Sequence, residues 1–279
     1  MRFGHVLVVG AGQMGGGIAQ VVAASGRRVS LHDSAPGAVE RGLETMRGSL
    51  TRLAEKGGAD PDEVLARVEP VDELVPADLM IEAVVEDAAV KANLFHRADA
   101  ILPPEAVLAS NTSSIPISTL GAATGRADKV IGMHFFNPVP VLKLVEIVPS
   151  LLTGATTQVR AEAFVRATLG KEVIRSQDRA GFVVNALLIP YLLSAIRMLE
   201  SGFASADDID NGMVLGCAHP MGPLRLTDLI GLDTTKAIAE SMYDEFKEPL
   251  YSPPPLLLRM VDAGLLGKKS GRGFHNYAK

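Results

Sequence analysis

His134 opens the run His134-Phe135-Phe136-Asn137-Pro138, and Glu146 follows it on the apolar segment Val141 to Val148. Imidazole is the one side chain whose ordinary pKa lets it take and return a proton near neutral pH. A carboxylate on its other nitrogen would fix the tautomer and stabilise the imidazolium. Glu146 breaks an otherwise apolar stretch, and a buried carboxylate needs a partner, so a His134–Glu146 pair is expected. Ser110-Asn111-Thr112-Ser113-Ser114 adds hydroxyls and amides directly after another apolar run. Taken singly, a strand-end histidine and a Ser/Thr/Asn turn also have purely structural readings. Together they are the components of proton transfer at a substrate oxygen.

A partner for that chemistry is announced near the N-terminus. Gly10-Ala11-Gly12-Gln13-Met14-Gly15 is a GxGxxG pattern between the strand-like run Val6–Val9 and a small-residue helical stretch, Gly17 to Ala24. In such a turn Gly10 permits the tight bend, Gly12 lets backbone approach a pyrophosphate, and Gly15 allows close helix–strand packing. The helix start at Gln13 and Met14 offers free N–H groups to the anion. Asp33 ends the next strand-like run, where a carboxylate would accept from both ribose hydroxyls and repel a 2′-phosphate. NAD is therefore expected over NADP. The alternative for Asp33 is a strand-end turn residue. Arg27 and Arg28 precede that strand and are expected to face solvent.

These residues need a scaffold, and the apolar runs describe one. Strand-like segments at 6–9, 28–33, 79–85, 107–110, 130–134 and 142–148 alternate with helical patterns. Alternation of this kind implies an α/β, Rossmann-like doubly wound sheet. Helical patterns at 36–56 and 61–67 form an insertion over 36–67. After Arg179 only helical patterns remain (182–200, 206–215, 223–228, 233–246 and 254–263), separated by Gly and Pro. The expected boundary lies in 177–181, giving domains 1–180 and 181–279, the second all-α.

Composition excludes several classes. With 47% apolar and 21% charged residues, the chain of 279 residues is globular, and its net charge of -5 argues against nucleic acid as a main partner. The single cysteine, Cys217, allows neither an intramolecular disulfide nor a thiolate metal site, which fits a reducing, cytoplasmic setting. The six histidines show no HExxH spacing, so no metal is expected. No apolar run reaches membrane-spanning length. Met213, Met221 and Leu226 read as core or subunit interface.

Longer segments carry a resemblance: Gly10–Gln20, Ile81–Glu86, Ser110–Ser114, His134–Val148, Gly181–Asn185, Met221-Gly222-Pro223 with Gly231–Thr234, and Gly267–Gly271. Nearly end to end, the chain is similar to the bacterial 3-hydroxyacyl-CoA dehydrogenases, most closely the 3-hydroxybutyryl-CoA type. The resemblance implies NAD-dependent oxidation of an L-3-hydroxyacyl-CoA to the 3-ketoacyl-CoA. It makes His134 the general base, Glu146 its orienting carboxylate, and Ser113 and Asn185 hydrogen-bonding partners of the substrate. Asp33, Glu86, Lys91, Ser113, Asn137 and Lys269 match positions near NAD, while Ser49 and Lys56, on the long helix after the second strand, match positions near coenzyme A. For Lys56, Lys91 and Lys269, an exposed helix-end lysine is the competing reading. His275 departs from the family pattern, where an aromatic is usual.

A homodimer built through the helical domain is implied, as is a stand-alone, single-activity enzyme. A 6-phosphogluconate-type β-hydroxyacid dehydrogenase would need a lysine shortly before Asn185, and Gly181-Phe182-Val183-Val184 supplies none. A dehydrogenase acting on a carrier-protein-bound thioester and a non-catalytic NAD(H) sensor are the other readings.

Overall fold

The computed structural model describes residues 3–277; Met1, Arg2, Ala278 and Lys279 lie outside them. The chain divides into two compact units, Met1–Arg179 and Ala180–Lys279.

In the first unit β1 (His5–Val9) leads through the glycine turn into α1 (Gln13–Ala24) and β2 (Arg28–His32). An insertion follows: α2 (Ala38–Ala54), α3 (Pro61–Leu65) and the short β3 (Val68–Pro70). Asp60 caps α3 by accepting from the N–H groups of Asp62 and Glu63, and Pro61 fills its first position. The unit continues with β4 (Leu79–Glu82), α4 (Ala88–Ile101), β5 (Val107–Ser110), α5 (Ile117–Ala122), β6 (Val130–Phe135), β7 (Leu144–Val148), α6 (Ala155–Ala163) and β8 (Glu172–Arg175).

Among the described residues one sheet of eight strands runs in the order β3-β2-β1-β4-β5-β6-β7-β8. Every pairing is parallel except β6 with β7. Val6, Val8, Ile18, Val22, Val29, Leu31, Ile81, Val107, Ile131 and Ile147 are buried between sheet and helices, as expected for strands covered on both faces. This is the Rossmann-like sheet that the alternation implied.

Two edge strands escape the apolar pattern. β3 is three residues long and contains Pro70, which a sheet edge tolerates. β8, on the opposite edge, begins and ends on charged residues, Glu172 and Arg175. Other strands stop short of their apolar runs for local reasons. β4 ends at Glu82 because that carboxylate takes the N–H of Val84 at 2.7 Å. β7 starts only at Leu144 because the N–H groups of Val141 and Leu142 turn back to the carbonyl of Pro138.

Among its described residues the second unit holds five α-helices: α7 (Val184–Glu200), α8 (Ala206–Cys217), α9 (Pro223–Ile230), α10 (Leu232–Phe246) and α11 (Pro255–Asp262). Ser205 caps α8, and Pro223 and Pro255 open α9 and α11. α7 begins two residues later than its apolar run because Gly181 and Phe182 adopt positive φ angles of 81° and 47°. Ile189, Leu193, Ile196, Leu224, Leu232, Met242 and Leu257 form its core. His275 is part of that framework: its Nε2 lies 2.7 Å from Asp210 Oδ2, while Asp228 accepts from the N–H of His275 and the hydroxyl of Tyr277. Burial and Asp228 push the Tyr277 phenol up to about 12.

Candidate active site

The antiparallel step between β6 and β7 places His134 directly opposite Glu146. Cross-strand partners share a face of the sheet, and here His134 Nδ1 lies 2.7 Å from Glu146 Oε2. Glu146 is 0% and His134 4% exposed. A carboxylate oxygen only accepts, so Nδ1 carries the hydrogen, and in the neutral ring Nε2 presents its lone pair. That lone pair faces Ser113 Oγ at 3.0 Å. The Phe136 ring meets the imidazole edge-on, 4.6 Å between centroids. An imidazole held this way can take and return one proton at Nε2.

Ser113 is placed by a carboxylate–ammonium chain that the sequence did not reveal, buried at Glu82 and Lys91 and reaching the surface at Glu86. Glu82, wholly buried, accepts from Ser110 Oγ at 2.6 Å and meets Lys91 Nζ at 2.9 Å. Lys91 also reaches Glu86 Oε2 at 2.8 Å. Glu86 Oε1 then takes Thr112 Oγ1, the N–H groups of Ser113 and Ser114, and Ser114 Oγ. Burial alone would raise the Glu86 carboxyl, but the Lys91 charge and these hydrogen bonds hold it below its ordinary value. Lys91 is 1% exposed, which removes its reading as a solvated helix lysine. Asn111 takes a different part, its side-chain oxygen accepting the N–H of Phe135 at 2.8 Å beside His134.

The glycine turn lies at the carboxyl end of β1. Gly10 has φ 103°, and a Cβ there would stand 2.4 Å from the carbonyl oxygen of Ala83. A Cβ on Gly15 would meet the carbonyl oxygen of Gly10 at 1.8 Å. Gly12 is different: a Cβ on it would meet nothing within 4 Å and would project into open space. That space is a cavity of about 710 Å³ walled by Gly12, Gln13, Asp33, Ser49, Asn137 and Val139, among others. A volume of this size suits a cofactor, and the open cradle over Gly12 at an uncapped helix start suits a pyrophosphate. Met14 follows Gln13 in the first turn of α1 without joining that wall. Asp33 lies just past β2, its Oδ2 accepting the N–H of Ala11 at 2.8 Å and its Oδ1 that of Ala35 at 2.9 Å.

Arg41, Thr45 and Arg52 share the cavity wall with Ser49, all four on α2. On an amphipathic helix these look like ordinary solvated residues, so no pattern singles them out. Lys56 was expected on that helix. It lies two residues beyond it, because the N–H groups of Lys56 and Gly58 close an exposed turn onto the carbonyl of Leu53. Lys171 is another unannounced member: buried, with Nζ donating to the carbonyls of Val139 and Leu142 at 2.6 Å, it ties down the loop that follows Asn137. Desolvation pulls its pKa down. In the helical unit Asn185 is buried in the first turn of α7, and Lys269 pairs with Asp233 at 2.6 Å.

Residues 5–179 match the family model described as 3-hydroxyacyl-CoA dehydrogenase, NAD binding domain. Residues 181–277 match that of the C-terminal domain of the same enzymes. The chain belongs to the 3-hydroxyacyl-CoA dehydrogenase family. Among its relatives, a 3-hydroxybutyryl-CoA dehydrogenase of Mycobacterium tuberculosis is 54% identical over 280 residues, covering 98% of each chain. The crystal structure of M. tuberculosis FadB2 superposes with a TM-score of 0.97 at 53% identity, over the whole of both chains. The (S)-3-hydroxybutyryl-CoA dehydrogenase of Ralstonia eutropha does so with a TM-score of 0.93 at 44% identity, again over both whole chains. Within the family, the glycine turn and its cavity belong to the domain that binds NAD.

Proposed function

We propose that this chain interconverts L-3-hydroxyacyl-CoA and 3-ketoacyl-CoA with NAD, acting on 3-hydroxybutyryl-CoA. The observation that carries this reading is the His134–Glu146–Ser113 arrangement, beside relatives named for that substrate.

In the oxidative direction His134 Nε2 takes the proton of the C3 hydroxyl as the carbonyl forms. Glu146 keeps the hydrogen on Nδ1 and stabilises the imidazolium. Ser113, within hydrogen-bond reach of Nε2, orients the same oxygen. Bound NAD would accept the hydride that leaves C3. In reduction His134 returns its proton to the oxygen. Gly10, Gly12, Gln13, Met14 and Gly15 form the pyrophosphate cradle, Asp33 receives the ribose hydroxyls, and Asn137 meets the cofactor from the loop after β6. Glu86 and Lys91 serve the cofactor site by holding the Ser113 loop. Ser49 and Lys56 meet coenzyme A, and family resemblance assigns Asn185 to the substrate and Lys269 to NAD.

The helical unit is proposed as the dimer contact and the cytoplasm as the location. Leu187, Phe203 and Leu215 are 74%, 79% and 83% exposed, which leaves large apolar side chains of this unit in solvent. No helix among the described residues is long and apolar enough to cross a membrane.

NADH consumption with acetoacetyl-CoA, run beside free acetoacetate and beside NADPH, tests the activity. Turnover with NADH and the CoA ester alone is the expected result. Equal turnover of free acetoacetate would remove the thioester from the account.

A further inference from the structure

A second concave site lies at the other end of the sheet, where the strands begin. α1 separates it from the glycine turn by about 18 Å, the length of its twelve residues. The pocket measures about 320 Å³ and is lined by Phe3, Arg27, Arg160, Phe164 and Thr168, with two alanines. Two guanidinium groups in one pocket, with no carboxylate in its wall, form an unbalanced cluster in a chain of net charge -5.

Nearby acids are already engaged elsewhere. Glu162 pairs with Arg175, Glu172 with Arg166, and Glu105 with Lys129. Arg160 lies 4.7 Å over the Phe3 ring and donates from Nη1 to the carbonyl of Glu105 at 2.7 Å. Its Nε–H and that of Arg27 are buried with no acceptor. Unmet buried donors are rare and costly, and each calls for a missing partner. The wall is also built from an uncommon element: Phe164–Thr168 is a π-helical turn continuing α6, a distortion frequent at functional sites. Phe3 and Phe164 meet edge-on at 5.4 Å and give the pocket an apolar side.

We propose that this pocket is a binding site for a small phosphomonoester with an apolar body, separate from the nucleotide cavity. Two guanidinium charges match the roughly -1.5 to -2 of a phosphomonoester at pH 7, and their fork geometry suits its oxygens. The π-turn hydroxyl of Thr168 adds a neutral donor, and the Phe3–Phe164 pair receives the apolar part.

Phenyl phosphate is the probe, titrated into the full chain saturated with NADH so that the nucleotide cavity is filled. Arginine Nε–H resonances are followed by NMR and affinity by calorimetry, with inorganic phosphate and benzoate as parallel arms. The expected result is a shift of the Arg27 and Arg160 signals by phenyl phosphate, tighter than by either control. Arg27→Gln and Arg160→Gln should each weaken that affinity about tenfold, as loss of one charge-assisted hydrogen bond would, with NADH affinity unchanged. Preference for benzoate would overturn the phosphate assignment. Resonances that stay still with every probe would overturn the site, and this readout on the native chain holds even if a variant fails to fold.

Discussion

At the scale of single residues, Asp33 is the group proposed to discriminate between nucleotides. Its two oxygens already hold the N–H groups of Ala11 and Ala35, which fixes the carboxylate at the cavity wall with lone pairs to spare. Asp33→Ala should therefore erode the preference for NADH over NADPH, read as the ratio of kcat/KM values; an unchanged ratio would mean that another group reads the ribose. Glu86 makes a prediction in pH. Its folded-state pKa lies below the ordinary 4.5, so the folded chain binds fewer protons than the unfolded one as the pH drops. The stabilisation is complete above that value and is lost as pH falls through the depressed one. Glu86→Gln should lower the melting temperature at neutral pH, and its deficit against wild type should shrink below pH 4.5. A deficit constant across that range would show that the carboxylate charge is not what holds the Ser113 loop. The candidates His134, Glu146, Asp33 and the glycines were legible from residue type and spacing, whereas Ser113 was singled out within 110–114 only by the family resemblance. Glu82 and Lys171 were not, since a buried polar partner is defined by contacts distant in sequence, and Arg41, exposed on α2, has the look of any solvated helix residue.

At the scale of elements, the strand–turn–helix start leaves no room for a side chain at Gly10 or Gly15. Gly15→Ala would set a methyl carbon 1.8 Å from the carbonyl oxygen of Gly10, and the turn must open to admit it. Overpacking costs about 1–3 kcal/mol, so NADH affinity should fall by ~10-fold or more in titrations of the variant. The antiparallel β6–β7 step is what turns the sequence spacing of His134 and Glu146 into a cross-strand pair. Both runs were readable as strands, but their relative direction was not, because apolar patterning is blind to polarity. β3 and β8 went unread for a related reason: an edge strand buries too little to leave a pattern, and Pro70, Glu172 and Arg175 mask what remains.

At the scale of the whole molecule, the change from alternating strands to helices near Arg179 is written in the sequence, and the two units divide there. What patterning could not display is surface. The exposed Leu187, Phe203 and Leu215 lie on or beside helices whose inward faces supply the core. If that area is the dimer contact, Phe203→Arg should yield a monomer in sedimentation experiments at concentrations where the wild type is a dimer; an intact variant dimer would place the contact elsewhere. His134 is the group proposed to move the proton. The most direct test is the steady-state rate of NADH consumption with acetoacetyl-CoA by His134→Gln beside wild type, with NADH affinity measured on both. The predicted result is a loss of at least ~10²-fold in kcat with NADH affinity nearly unchanged. A variant turning over at close to the wild-type rate would contradict the account.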